Sequence, residues 1–288
     1  MRKRNAHRGY VLVMTLLLLA LAAVALSAVA AESHARATQA LRAQEQLQRH
    51  WGALSCQHAL LPNVAAIIEA ARRQPDGAGP SLLKLGGQTF VLVFGDEQAK
   101  VNLNTLSLAV GTSGVRSALQ RLIKTNADEI SIHLSPSVVQ ETGADGKPVD
   151  RLKFLSFGQV FDKASPAALM GNDAGTLRGF ATNLTCWGDG KLNFTKASPA
   201  TIAEVASCVL KTDDAVRFRR AQQKSPQLPW DDIFRQQALP AELIPVMGKL
   251  MTNKSTCFSL WIAADIKGRP IYQFAVQADG QPPSVFEW

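Results

Sequence analysis

The chain has 288 residues, 47% of them apolar and 19% charged, a composition that supports one or two buried cores and excludes the disordered and fibrous classes. Its net charge is +8, but Arg2, Lys3, Arg4 and Arg8 supply half of that excess. No dense Lys/Arg face with interleaved aromatics follows them, so no nucleic-acid partner is expected. Cys56, Cys186, Cys208 and Cys257 have neither CxxC nor Cys/His ligand spacing, which argues against zinc. In an oxidising compartment four cysteines allow three full pairings, and a disulfide is expected among Cys186, Cys208 and Cys257.

No residue from Tyr10 to Ala31 is charged. At about 1.5 Å per residue this run spans ~33 Å, enough for a bilayer hydrocarbon core. The positive-inside bias keeps the basic block in the cytoplasm and sends the rest across. A secretory signal peptide is one alternative, because Ala28-Val29-Ala30 offers an A-x-A cleavage site, but the run is long for an h-region of about 7–15 residues. The Arg8-Gly9-Tyr10 junction offers another: cleavage there removes the charges and leaves the membrane helix in place.

A short basic leader ending in Gly9, then aromatic Tyr10, then an unbroken apolar run resembles the class III leader of type IV pilins and type II secretion pseudopilins. The resemblance implies cutting after Gly9 by the prepilin peptidase and methylation of the new amino terminus on Tyr10. Most of these proteins carry Glu at the fifth mature position, where a carboxylate in lipid pairs with a neighbouring subunit's amine. Here that position is Met14, and lack of the Glu is the feature that sets minor pseudopilin K apart.

Between Tyr10 and Leu61 there is no proline and only Gly52 among glycines, which predicts one helix of about 52 residues, ~78 Å long. Leu47, Trp51, Leu54, His58 and Leu61 fall on one stripe expected to pack on a globular body; His58 there reads as a core or edge residue rather than a ligand. Pro62 kinks this helix or opens a new turn towards Val64, Ile67 and Ile68, and Arg72 to Pro80 reads as a loop. Gln88 to Phe94 is rich in β-branched and aromatic residues between glycines, and predicts a strand.

That strand leads into Asp96-Glu97-Gln98-Ala99-Lys100-Val101-Asn102-Leu103-Asn104, which resembles the DE-x-G-K-I-N-L-N stretch of pseudopilin K, with Ala99 in place of the usual glycine. Read from the residues alone, Asn102 and Asn104 can bond nearby backbone and cap a helix carrying Val115, Leu119, Leu122 and Ile123. Lys191-Leu192-Asn193-Phe194-Thr195 echoes the segment, so two related strand-to-helix units are expected. In the second, Ser198 caps, Pro199 takes the first helical position, and Ile202, Val205, Ala206 and Val209 share a face. Ser165-Pro166 and Leu239-Pro240 open further helices, through Leu169 and Met170 and through Leu243, Ile244 and Met247. Cys257 to Ala263 and Ile271 to Val276 flank Lys267-Gly268-Arg269 as an antiparallel hairpin.

A membrane-anchored hydrolase is the rival class, yet the chain holds no nucleophile elbow, HExxH or P-loop. Gly111-Thr112-Ser113-Gly114 lacks the G-x-S-x-G spacing, and Cys56 and His58, two apart on a helix, point to different sides. Asp96 with Glu97, Asp128 with Glu129, and Asp231 with Asp232 lack EF-hand alternation and read as solvated or capping acids. Some pseudopilin K proteins bind calcium through a D-W-x-D-x-D type run; that run is missing here, so no cofactor is expected and calcium is only a weak candidate.

The fold class expected is α+β, a long N-terminal transmembrane helix followed by a pilin-like α/β body with an inserted helical domain. The divisions are a leader at 1–9, a transmembrane and periplasmic helix at 10–70, a β-layer at 81–103 and 255–288, and a mainly helical insertion at 104–254. The resemblance implies a non-enzymatic minor pseudopilin at the tip of the type II secretion pseudopilus, in the inner membrane with its C-terminal domain periplasmic. Its partners would be the other minor pseudopilins, of I and J type, and the prepilin peptidase. The alternatives are a minor pilin of a related type IV pilus system and a secreted periplasmic binding module.

Overall fold

The computed structural model describes residues 6–73, 79–123, 132–142, 146–161, 180–264 and 271–287, in two compact units, Met1–Gly52 and Ala53–Trp288. The first unit is the greater part of helix α1 (Ala6–Leu60). Its side chains from Tyr10 to Ala31 are all exposed, as an apolar sequence with no polar stripe leaves no preferred side. The aliphatic hydroxyls in this run are satisfied within the helix, Thr15 donating to Leu12 O and Ser27 to Val24 O. Beyond Ala31 the helix turns polar and is laced by i,i+4 pairs, Glu32–Arg36 at 2.5 Å and Glu45–Arg49 at 3.6 Å.

In the second unit, the last turns of α1 bury Ala53, Cys56 and Gln57, followed by Leu61, Val64 and Ile68. Of the expected stripe, Leu61 is buried in this core; Leu47 and Trp51 are 57% and 60% exposed, His58 is exposed, and Leu54 is half-buried. The buried face is turned by about one residue, roughly 100°. Pro62 lies at the start of a 3-10 turn, Leu61–Asn63, from which α2 (Val64–Arg72) continues.

A five-stranded antiparallel sheet lies at the centre of this body. Its strands are β1 (Ser81–Leu85), β2 (Gln88–Asp96), β9 (Cys257–Ala264), β10 (Ile271–Ala278) and β11 (Ser284–Glu287), ordered β1-β2-β9-β10-β11. Strand β1 follows from the Gly86–Gly87 turn, whose φ values of 57° and 77° are the two positive angles that a tight type I′ hairpin demands. Period-two alternation gives the sheet two apolar faces. Phe90, Leu92, Leu260, Ile262, Ala264 and Ala275 pack with Ala53, Cys56, Leu61, Val64 and Ile68. Val93, Trp261, Phe274 and Val276 face the other way, into a larger core shared with the chain between β2 and β9.

That intervening chain holds β3 (Val101–Asn102), α3 (Leu103–Ile123), β4 (Ser137–Thr142), β5 (Pro148–Lys153), β6 (Leu184–Thr185), β7 (Leu192–Asn193), α4 (Pro199–Ala206), α5 (Thr212–Lys224), α6 (Trp230–Gln236), α7 (Ile244–Leu250) and β8 (Met251–Thr252). Two short parallel ladders, β3–β6 and β7–β8, carry the starts of α3 and of the turn into α4. Helix α3 breaks at Gly111, where φ is 69°; Val115 and Leu119 in its second half are fully buried. Helix α4 starts on Ser198, whose Oγ accepts from Thr201 N at 3.2 Å, with Pro199 in the first turn. The antiparallel β4–β5 hairpin, and helices α5 and α6, are elements the sequence reading did not anticipate. The helix expected through Leu169 and Met170, the turn at Lys267–Arg269 and the Asp128–Glu129 pair lie outside the described residues.

Candidate functional site

Two regions hold the residues singled out in the sequence. The first is the start of α1. Gly9 lies within the helix, and Tyr10 and Met14 are 67% and 43% exposed. Around them runs the one helix, among the described residues, long and apolar enough to cross a membrane, with a peak mean hydropathy of 2.7. Among the described residues none of this stretch is buried, and in a bilayer such a helix packs against lipid or other helices.

The second region is Asp96 to Asn104, where β2 ends and α3 begins. Glu97 is fully buried on a 3-10 turn; its Oε1 accepts from Lys100 Nζ at 2.5 Å and from Ser259 Oγ at 2.5 Å, while Oε2 is buried without a partner among the described residues. Gly95 makes room for this cluster, since a Cβ there would overlap Ser259 Oγ. Asp96 accepts from Gln98 N at 3.1 Å and from Ser255 Oγ at 2.8 Å. Burial pushes the Asp96 carboxyl above the usual carboxylate range against the pull of these two bonds. Gln98 spans the site: its Nε2 donates to Asp189 Oδ1 at 2.7 Å, and its Oε1 accepts from Thr256 N and Thr256 Oγ1.

Asn102 and Asn104 are tied both locally and at long range. Asn102 Oδ1 accepts from Asn104 N at 2.9 Å and Thr105 N at 3.1 Å, satisfying the first turn of α3, while its Nδ2 donates to Trp187 O at 2.8 Å. Asn104 donates to Phe154 O and Cys186 O and accepts from Phe154 N at 2.7 Å. Asn193 repeats the local pattern, its Oδ1 accepting from Thr195 N at 3.1 Å, and its Nδ2 reaches Ser255 Oγ at 2.7 Å. Since Ser255 also donates to Asp96, the two strand-to-helix units meet through one serine just before β9. Sequence reasoning found the asparagines and the echo but missed Ser255 and Gln98, which no local pattern distinguishes.

All four cysteines are free thiols, Cys208 half-buried and the others buried, so the disulfide expected among Cys186, Cys208 and Cys257 is not formed. Burial raises each thiol pKa, that of Cys208 to about 11 and that of Cys257 to about 12, with Cys186 higher still. These shifts disfavour the thiolate, the reactive form of each cysteine. Among the described residues no group of three or more His, Cys, Asp and Glu is placed to hold a metal. A second tie joins α3 to α4, where Arg121 grips Glu204 by two bonds of 2.5 and 3.1 Å.

No family model and no curated protein matches the chain. Among solved structures, it is similar to a chain in the crystal structure of the GspK-GspI-GspJ complex from the type 2 secretion system of enterotoxigenic Escherichia coli. The two are 14% identical, with a TM-score of 0.49, and the similarity covers 86% of this chain and 98% of that one.

Proposed function

We propose that the chain is a minor pseudopilin of the K type, anchored by α1 in the inner membrane with its body in the periplasm, at the tip of a type II secretion pseudopilus. The observation that carries this reading is the uncharged stretch from Tyr10 to Ala31, exposed on every side within an unbroken helix, immediately behind the Arg8-Gly9-Tyr10 junction. The DExxKVNLN segment supports it by its likeness to the family stretch. The activity is assembly rather than catalysis: α1 packs beside partner helices by van der Waals fit in lipid, and Met14 removes the need for a partner amine. A body broadened by the chain between β2 and β9 suits the end of a filament better than its shaft. The partners are the I- and J-type minor pseudopilins, after cleavage by the prepilin peptidase and methylation of Tyr10.

The test is mass spectrometry of the mature amino terminus from membranes of a host carrying the peptidase, joined to co-isolation with the I- and J-type subunits. A methylated Tyr10 and co-isolation are the expected results. A start at Ala31 would sink the proposal and leave a secreted periplasmic module; a methylated Tyr10 without those partners would point to a minor pilin of a type IV pilus.

A further inference from the structure

Strand β1 forms one edge of the central sheet, and its register fixes which of its backbone groups are left over. In a two-residue hairpin the residues flanking the turn exchange both of their backbone bonds. Leu85 is therefore paired to Gln88 and, by alternation, Leu83 to Phe90 and Ser81 to Leu92. The N–H and C=O groups of Leu82 and Lys84 point the other way, and nothing among the described residues bonds them. Sheets usually blunt such an edge with proline, a bulge or several charges. Strand β1 has no proline, its register with β2 is unbroken, and its one charge is Lys84, which makes no ion pair among the described residues.

The side chains indicate what kind of strand fits. Directly paired residues share a face of a sheet, so Leu82, Val91, Ala263 and Tyr272 form one row across β1, β2, β9 and β10. The row is apolar apart from the tyrosine hydroxyl; three of its members are half-buried, and it runs out into solvent at Leu82, which is 73% exposed. On the opposite face Leu83 packs on the core beside Phe90. An antiparallel strand laid along β1 continues these rows with an apolar residue beside Leu82, another beside Leu83, and a carboxylate beside Lys84. Because it runs against β1, its sequence reads acidic, apolar, apolar. We propose that β1 binds an extended segment of a partner protein with that pattern, as an added strand of the central sheet. A second copy's β1 does not meet this need, since Ser81–Leu85 has no acidic residue to set beside Lys84. Every residue involved lies in the Ala53–Trp288 body, so the site stands independently of the membrane-anchor reading.

The experiment is fluorescence anisotropy with the full chain in detergent micelles and two blocked heptapeptides carrying a neutral dye. One has glutamate-valine-valine at its centre between threonines; the other has lysine in place of glutamate. The glutamate peptide is expected to bind about fivefold more tightly than the lysine peptide, and Lys84→Glu to reverse that preference. Leu82→Pro removes an N–H that the β1–β2 ladder does not use, a change that an edge strand tolerates. It is expected to abolish binding of the glutamate peptide while leaving the urea unfolding midpoint of the chain in place. No binding of either peptide, equal binding of the two, a preference that survives Lys84→Glu, or binding that survives Leu82→Pro would overturn the proposal. Self-association of the chain that Leu82→Pro abolishes, read by sedimentation, would also overturn it and assign the edge to a second copy.

Discussion

Lys100→Met probes the buried ion pair most directly. The Lys100 and Glu97 side chains are 9% and 0% exposed, and without the ammonium Glu97 keeps, among the described residues, only the Ser259 hydroxyl as a partner. Leaving one member of a buried pair uncompensated costs about 3–5 kcal/mol. With a urea slope on the order of 3 kcal/mol/M for a body of this size, the unfolding midpoint falls by about 1–1.7 M. The assay is urea unfolding of the full chain in detergent micelles, followed through the fluorescence of buried Trp230 and Trp261. Combining Lys100→Met with Glu97→Gln is expected to recover most of the loss, because the amide still accepts from Ser259 and carries no charge. A midpoint shift below about 0.3 M for Lys100→Met alone would refute the reasoning, since Glu97 would then be solvated or neutral once Lys100 is gone.

Asn104→Ala leaves Phe154 N, Phe154 O and Cys186 O without their partner and is expected to cost about 2–4 kcal/mol in the same unfolding assay, against about 1 kcal/mol for the cap lost in Asn102→Ala. Asp96 has a raised carboxyl pKa in the fold, so its stabilisation is complete below the unfolded value of about 3.9 and is lost as pH rises through the folded value. Asp96→Asn should therefore match or exceed the parent at pH 7 and lose part of that pH slope, as read from thermal melts between pH 3 and 7. At pH 8 a thiol reagent is expected to label Cys186 and Cys257 only after urea is added, and then to find four thiols per chain; two or fewer would reveal a disulfide. Arg121→Ala, which strips a mostly buried Glu204 of its fork, is expected to lower stability by about 1.5–3 kcal/mol.

The elements legible in the sequence are those whose signal is local. Tyr10 to Ala31 needed only the absence of charge, α4 only Ser198 and Pro199, and the β9–β10 pair only its run of β-branched and aromatic residues. Helix α5 was missed because its apolar face is thin, with Ala215 and Phe218 buried beside Gln222, although Asp213 and Asp214 at its start and Lys224 at its end match the helix dipole. The β4–β5 hairpin was missed because apolar Val138 and Leu152 sit on its exposed face while Val139 sits on the other, so the sequence shows no apolar–polar alternation although burial alternates along β4. The buried face of α1 is not marked by hydrophobicity, since Ala53, Cys56 and Gln57 are buried there while Trp51 is exposed. Within the site, Asn102 was readable as a cap. Its link to Trp187, and those of Asn104 to Phe154 and Cys186, join residues 50 to 85 positions apart, a distance at which spacing carries no information.

The central sheet also sets an order of events during folding. Strand β2 finds β1 at once across two glycines, but its other neighbour, β9, is roughly 160 residues later in the chain, and closing a loop of that length costs about 4–5 kcal/mol of chain entropy before any contact repays it. During synthesis or translocation from the amino end, β1–β2 therefore presents a hydrogen-bonding edge, flanked by Phe90, Leu92 and Val93, until nearly the whole chain has emerged. Such an edge is where a growing chain aggregates. The slow step in maturation should be β9 docking beside β2, and a chaperone that shields strand edges would be needed longest during that interval.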